Sequence, residues 1–245
     1  MLGIERLVLF LALALLAEVA GTVGGFGSSV FFVPIANLFF DFESVLAITS
    51  LFHLASNASK LGLFRQGIDL RLLLWLGVPS VLFAALGALA GRYIATGVLE
   101  GVLAVFLLAL SGFLLLRPDW ALQPKLAQGV GGGVLSGAMA GLVGTGGAIR
   151  GLTLAAFNLP KDVFVATSAA IDMGIDLSRA GVYWHNGYLH GHDLIYIPLL
   201  VPVAFGGTWI GRWLLRRLPQ ARFRQLALVM VFGVGLLTLL QALKA

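Results

Sequence analysis

The stretch Gly21-Thr22-Val23-Gly24-Gly25-Phe26-Gly27 decides how this chain is interpreted, because it returns after 120 residues as Gly141-Leu142-Val143-Gly144-Thr145-Gly146-Gly147. Four positions are identical in the two copies, and both copies interrupt otherwise apolar sequence. Backbone is broken at membrane depth only where it is buried in protein or lines a cavity. A glycine break that occurs twice therefore indicates a transport site between two repeats.

The composition is that of a membrane protein with several spans. Hydrophobic residues make up 59% of the sequence and charged residues 11%, and the mean hydropathy is +0.98. Soluble domains carry about 25% charged residues. The net charge of +5 comes from Lys and Arg at helix ends, where orientation signals lie, so no nucleic-acid partner is expected. Cysteine is absent, which excludes disulfides and thiol chemistry.

Apolar runs predict six long helices, each with the roughly 20 residues that a bilayer span needs. They cover residues 44–64, 70–94, 98–117, 162–185, 192–215 and 222–243. Residues 4–40 and 126–158 are too long for one span and barely long enough for two. Each therefore predicts a hairpin of two short helices with the glycine run near its tip.

The beginning of the chain resembles a signal peptide, with Arg6 in front of an apolar run. Glu18 occupies the region where a cleavage site needs small residues, and apolar sequence resumes after the glycines. We therefore expect residues 1–20 to remain as the first membrane element.

Further glycines repeat at the same offset of 120 residues. Small residues four apart let membrane helices approach closely. The matched positions are Gly67 with Gly187 and Gly87-x-x-x-Gly91-Arg92 with Gly207-x-x-x-Gly211-Arg212, and Gly129, Gly133, Gly137 and Gly141 extend the spacing along one face. The sequence thus predicts an all-α membrane protein with an inverted-topology repeat, residues 1–120 and 121–245, in one integrated domain. Each half is a broken or re-entrant hairpin followed by three transmembrane helices.

Loop charges predict the inversion. Residues 60–71 carry an excess of basic residues, whereas their counterpart 185–193 carries histidines and Asp193; residues 212–224 carry five arginines, whereas 92–100 balance one base with one acid. The basic residues of the first loop are Lys60, Arg65 and Arg71, and the balanced pair is Arg92 and Glu100. Basic loops stay in the cytoplasm, so equivalent loops lie on opposite sides and both chain termini lie outside. The hairpin tips then face each other from opposite sides, whether the arms are re-entrant or short full spans.

A helix is expected directly after each glycine run, and the start of a helix attracts anions through its free N–H groups and dipole. Arg150 follows Gly147 closely and could hold an oxyanion with two hydrogen bonds. The predicted substrate-binding residues are Gly24, Gly25, Gly27, Ser28, Ser29, Gly144, Thr145, Gly146, Gly147 and Arg150. An alternative stays open, in which the glycines only permit close packing and Arg150 pairs with an internal acid. No complete dinucleotide-binding or P-loop motif is present.

The doubled glycine run, Val33-Pro34 after the first copy and the apolar chain of this size resemble the TauE/SafE sulfite exporter family. The resemblance extends over residues 8–243 and implies a plasma-membrane transporter of sulfur-containing anions such as sulfite, thiosulfate or organosulfonates. The second copy departs from the first, because Leu154 stands where the repeat would place a proline and Arg150 has no counterpart. The two tips are therefore expected to contribute unequally.

Two trios of polar residues share the spacing i, i+4, i+7 and so fall on one face of their helices: His53, Asn57 and Lys60, and Asp172, Asp176 and Arg179. Polar groups in mid-span point to the protein interior or to a wet cavity. We predict that His53, Asn57, Asp172 and Asp176 line the transport path and are candidates for proton coupling. The alternatives are a static Asp176–Arg179 pair and a Lys60 side chain that reaches the membrane surface. Glu18 could line the same cavity or form local hydrogen bonds.

The segment 185–193 carries three histidines, His185, His190 and His192, together with Asp193. Such residues can bind zinc, which would support a metal-dependent intramembrane enzyme. The spacing is loose and no HExxH motif is present, so an ordinary polar loop is the favoured interpretation and no metal is predicted.

The preferred function is a secondary transporter, not an enzyme, that moves a small sulfur-containing anion across the cell membrane by alternating access. Its partners are the anion and the lipid bilayer, with protons as a candidate coupling ion and no cofactor. A channel-like anion permease remains an alternative.

Overall fold

The computed structural model describes residues 2–64, 67–93 and 96–242, and these residues form helices without any strand. We number the helices α1 (Ile4–Gly24), α2 (Ser29–Ala36), α3 (Phe42–Leu63), α4 (Leu70–Ala90), α5 (Thr96–Leu116), α6 (Leu126–Val143), α7 (Gly147–Ala156), α8 (Lys161–His185), α9 (Ile197–Arg217) and α10 (Gln220–Ala242). A wide π-helical turn, Leu73–Gly77, lies inside α4. The predicted all-α class is confirmed.

The helix order of α1–α5 recurs in α6–α10. Each series has a long helix, a short helix of 8 or 10 residues and three further long helices. The packing crosses between the series, because α4 packs along α6 and α9 packs along α1, while α3 contacts α8 and α5 contacts α10. The six long helices lie where the apolar runs predict them, except that α9 begins at Ile197 rather than at residue 192. The delay has a local cause, since Asp193 accepts the His190 N–H in a turn and Pro198 favours a helix start.

The first arm of each hairpin is longer than the short helix predicted from the sequence. Helix α1 has 21 residues and α6 has 18, and both are long enough to cross a membrane. Gly25 caps the C-terminal end of α1, and Gly144 caps that of α6. Their φ angles of 79° and 77° are left-handed and suit glycine. Each hairpin still returns to its starting end, because Arg6 donates to the Leu38 carbonyl at 3.4 Å and the Leu122 N–H donates to the Ala156 carbonyl at 2.7 Å. The arms are therefore unequal.

The spaced glycines form the predicted close contacts between helices. A Cβ atom at Gly133, Gly137 or Gly141 of α6 would collide with backbone carbonyl oxygens of α4. In the second series, a Cβ atom at Gly207 would lie 2.7 Å from the Glu18 side chain of α1. Both pairs of helices depend on missing side chains for their approach.

The burial of side chains differs from that of a soluble protein in two respects, the exposed large apolar residues and the buried charged residues. Large apolar residues such as Leu86 and Trp209 are exposed, whereas several charged residues are buried. Within the described part of the chain, five helical segments are long and apolar enough to cross a membrane: Ile4–Gly24, Leu70–Ala90, Leu126–Val143, Ile197–Arg217 and Arg222–Leu240. Helices α3 and α8 are as long, with 22 and 25 residues, but carry most of the buried polar side chains at the centre of the bundle.

Contacts between loops define two ends of the bundle. At the histidine end (residues 2, 38–44 and 185–196), the Leu2 N–H donates to the Tyr196 hydroxyl at 2.9 Å. At the arginine end (residues 64, 67–69, 117–126, 156–164 and 212–224), the Lys161 Nζ donates to the Leu218 carbonyl at 2.8 Å.

Four of the loop charges that predict the orientation either lie inside a helix or fall outside the described residues. Lys60 does not belong to a loop, since its side chain lies inside α3 and is 3% exposed. Arg65 and the side chains of Arg92 and Glu100 lie outside the described residues. The basic segment at 212–224 is therefore the main feature that supports the predicted orientation.

Candidate functional site

The starts of α2 and α7 meet at the centre of the bundle. The Phe26 carbonyl, in the first glycine run, accepts a hydrogen bond from Arg150 at 2.8 Å. Gly147 and Gly151 leave room for the backbone and side chain of Phe26, since a Cβ atom at either position would collide with them. The two glycine runs are therefore in contact. This contact requires glycine, because a side chain would occupy the space that Phe26 fills.

Arg150 is completely buried between the two helix starts. Its Nε donates to the Ser168 hydroxyl at 3.0 Å, and its Nη2 forms an ion pair with Asp172 besides the bond to Phe26. Its Nη1 has no hydrogen-bond partner among the described residues. The predicted alternative, pairing with an internal acid, is present, but it uses only part of the guanidinium fork.

Asp172 lies beside the first glycine run as well as beside Arg150. A Cβ atom at Gly27 would lie 3.0 Å from the Asp172 carboxylate, and the φ of 92° at Gly27 is also a glycine conformation. Gly27 therefore allows the carboxylate, the guanidinium and the peptide backbone to share one small space.

A second ion pair lies beside the first helix start. The Lys60 Nζ is 2.8 Å from a Glu18 carboxylate oxygen, and Glu18 is itself fully buried. Glu18 also accepts hydrogen bonds from four hydroxyl groups, those of Thr22, Ser28, Ser56 and Thr208. The expectation that Lys60 reaches the membrane surface is therefore wrong, because a buried carboxylate holds the amine inside.

His53 connects this cluster to the third ion pair. Its Nε2 is 3.0 Å from the Ser28 hydroxyl, and its Nδ1 is 3.8 Å from Asp176. Asp176 accepts hydrogen bonds from the Asn57 amide at 2.8 Å and from the Arg179 Nε at 2.8 Å. The two predicted trios thus face each other across α3 and α8, and the Asp176–Arg179 pair is confirmed.

Arg179 closes the network toward the second glycine run. Its Nη1 donates at 3.1 Å to the carbonyl of Gly144, the left-handed residue that ends α6. The network therefore extends from Glu18 and Thr208 at α1 and α9 to the tip of the second hairpin.

The buried charges in the described part of this network balance when all are ionised. Glu18, Asp172 and Asp176 each pair with one of the cations Lys60, Arg150 and Arg179. An added monovalent anion would leave the site with one excess negative charge unless a proton enters with it.

The network contains most of the predicted site residues, but not all. Thr145 lines a cavity of about 70 Å³ together with Asn37 and Ala148. Gly25 and Gly146 face packing contacts, since a Cβ atom would meet Phe164 at the first position and the Ser136 carbonyl at the second. The sequence interpretation missed four hydroxyl residues: Thr22, Ser56, Ser168 and Thr208. All four precede or follow a charged residue by four positions, as Ser168 precedes Asp172, and this spacing in apolar sequence could have revealed them.

The histidine loop is arranged differently from the predicted trio. His190, His192 and Asp193 have ligand atoms that lie within 4.8 Å of one another, whereas exposed His185 at the end of α8 does not belong to this group. The residues that could hold a metal are therefore His190, His192 and Asp193, without His185.

Crossed helix pairs, two broken hairpins and buried ionic groups at the hairpin tips define a polytopic membrane protein of the transporter class. The sequence model of the sulfite exporter TauE/SafE family matches residues 10–238. The chain belongs to this family and is a membrane transporter of the sulfur-anion exporter type. No curated protein and no solved structure matches the chain.

Proposed function

We propose that the protein carries a small sulfur-containing anion, such as sulfite, thiosulfate or an organosulfonate, across the cell membrane at a site formed by Arg150 and the starts of α2 and α7. The observation that carries this proposal is the completely buried guanidinium, whose Nη1 lacks a partner beside two glycine runs. Neither helix start has a side-chain cap, so the first backbone N–H groups of α2 and α7 have no capping acceptor. An oxyanion offers the acceptors that these donors need.

Two cavities at opposite ends support alternating access. A cavity of about 190 Å³ at the histidine end is lined by Leu46, Gly141 and Tyr183, and one of about 880 Å³ at the arginine end is lined by Phe64, Gly67 and Arg212. Tyr183 donates to the Gly141 carbonyl at 2.9 Å and separates the first cavity from Arg179. Movement of one helix series against the other would open one cavity to the site while it closes the other.

The balanced charges support proton coupling. An anion at the Arg150 Nη1 would compete with the carboxylate of Asp172 for the guanidinium. Protonation of Asp172 would release the guanidinium to the anion and keep the buried site neutral. His53, 3.8 Å from Asp176, is a second group through which a proton could enter the network.

The inverted repeat supplies the symmetry for this cycle. We propose that residues 1–120 and 121–245 are equivalent units of opposite orientation, with the histidine end and both chain termini outside and the arginine end in the cytoplasm. The recurring helix order and the exchange of α4 and α9 between the series support this arrangement. The arginines at 212–224 support the orientation.

The proposed site is tested by binding and flux. The purified protein is heated with sulfite, thiosulfate, sulfoacetate, sulfate or phosphate, and the bound anion raises the melting temperature. Arg150→Ala should weaken binding about 10- to 100-fold, because a lost hydrogen bond to a charged group is worth about 1.5–3 kcal/mol. Arg150→Lys, which keeps the charge and loses the fork, should bind with intermediate affinity.

Arg222→Ala is the matched control, since this exposed arginine lies at the start of α10, away from the network. Flux of the best-binding anion into proteoliposomes should fall with the same order of variants. Wild-type affinity and flux in folded Arg150→Lys and Arg150→Ala proteins would contradict the assigned role.

A further inference from the structure

We propose that His190, His192 and Asp193 form a site for a divalent transition-metal cation of the zinc type at the histidine end of the bundle. The ligand atoms of the three residues lie within 4.8 Å of one another, so small side-chain rotations would let a single ion contact all of them. Imidazole nitrogen and carboxylate oxygen are the ligands that such cations prefer. This site lies outside the anion network and does not depend on the transported substrate.

The separations between the ligand atoms fit a zinc ion. The His190 Nδ1 is 3.4 Å from one Asp193 carboxylate oxygen, and the His192 Nε2 is 3.4 Å from the other. Ligands at the corners of a tetrahedron around zinc, with bonds of about 2.0–2.2 Å, lie about 3.4 Å apart. The two imidazole rings are nearly parallel, with centroids 5.3 Å apart and an interplanar angle of 6°. A small rotation of either ring would direct both nitrogens at one ion beside the carboxylate.

The buried state of Asp193 is the independent observation that points to a ligand. Its side chain is 0% exposed, yet its Oδ1 has no hydrogen-bond partner among the described residues. A buried acceptor without a donor costs about 1–3 kcal/mol and more when it carries charge. The His192 ring that faces this oxygen is 57% exposed on its side chain, so an ion from solution can reach the site.

The remaining bonds of Asp193 hold it in position. Its Oδ2 accepts from the Ser44 hydroxyl at 2.9 Å and from the His190 N–H at 3.0 Å. The same Ser44 hydroxyl is 3.0 Å from the His190 Nδ1. Partners of this kind orient metal ligands in known sites. Because Ser44 belongs to the first turn of α3, a bound ion would fasten the 190–193 loop to the helix that carries His53, Asn57 and Lys60.

Titration of the purified full-length protein with zinc ions alone tests the site. We expect one zinc ion per chain by calorimetry and by metal analysis after removal of free ions. His192→Ala, which alters an exposed side chain and should fold normally, is expected to bind zinc at least 10-fold more weakly. His190→Ala should behave in the same way, although it also loses the contact to Ser44.

His185→Ala is the matched control, because it removes an exposed histidine of the same region that lies outside the group. It should bind zinc as the wild type does. No zinc binding by the wild-type protein, or an equal loss in His185→Ala and His192→Ala, would overturn the proposal. Zinc is also expected to slow substrate flux in the wild type and not in His192→Ala. An unchanged wild-type flux with zinc bound would show that the ion does not fasten the 190–193 loop to α3.

Discussion

Arg150 has two competing acceptors in the proposed cycle, the Asp172 carboxylate and the transported anion. Asp172→Asn removes one competitor and leaves the guanidinium buried without its counterion. The substrate-free protein should lose stability, because breaking a buried pair costs about 3–5 kcal/mol. The anion should then stabilise the variant more than it stabilises the wild type, as measured by the shift in melting temperature. Flux by the variant should depend less on pH.

The control for this charge change is Glu5→Gln, which alters an exposed acid at the start of α1. It should leave both the melting temperature and the anion response unchanged. A smaller anion response in Asp172→Asn than in the wild type would show that Asp172 assists binding rather than competing with it.

The Lys60–Glu18 ion pair allows the contribution of a buried pair to the free energy of unfolding to be measured without substrate. Lys60→Met leaves Glu18 charged and without its amine, so the variant should lose about 3–5 kcal/mol. The double variant Glu18→Gln/Lys60→Met should recover a large part of this loss, because it buries no unpaired charge. Chemical unfolding of the four proteins of this cycle gives the coupling. Lys125→Met, at an exposed lysine before α6, is the control and should be neutral.

At the scale of elements, the contact between α4 and α6 depends on three missing side chains. Gly137→Ala would place a methyl group against the Ser80 carbonyl, a backbone atom that cannot move aside easily. Overpacking of this kind costs about 1–3 kcal/mol, and the melting temperature followed by tryptophan fluorescence should fall.

Gly131→Ala provides the comparison in the same helix, since Gly131 is exposed and a Cβ atom there meets nothing within 4 Å. Alanine is the better helix former, so this variant should be neutral or slightly more stable. Equal effects of the two substitutions would mean that helix propensity, not close packing, decides stability at these glycines.

The sequence predicted the positions of the long helices better than it predicted the lengths of the helices in the two hairpins. Long apolar runs bounded by charges predicted the long helices, but the glycine runs suggested hairpins of two short helices with the glycines near the tips. In the structure, Gly25 and Gly144 end helices of almost full length, because a left-handed glycine stops a helix without shortening the apolar stretch before it. The pairing of Lys60 with Glu18 could not be predicted, since it joins helices whose contact depends on tertiary packing.

At the scale of the whole molecule, the two helix series exchange partners, so that each series completes the packing of the other. Helix α4 covers α6 and α9 covers α1, while the polar faces of α3 and α8 meet in the centre. A displacement of one series would change both cavities and the ionic network together. This arrangement supports the proposed coupling of the two ends in an alternating-access cycle.

The orientation of the ends is open to a direct test, because the chain has no cysteine and each introduced thiol is unique. His185→Cys and Arg222→Cys place thiols at exposed positions of the histidine end and the arginine end. A membrane-impermeant maleimide should label His185→Cys in intact cells and Arg222→Cys only after the membrane is opened, because the basic segment is retained inside. Labelling of both in intact cells would contradict the placement of the ends on opposite sides. The reverse pattern would keep the inverted repeat and turn the whole molecule over, which would place the proposed metal site in the cytoplasm and the 880 Å³ cavity outside.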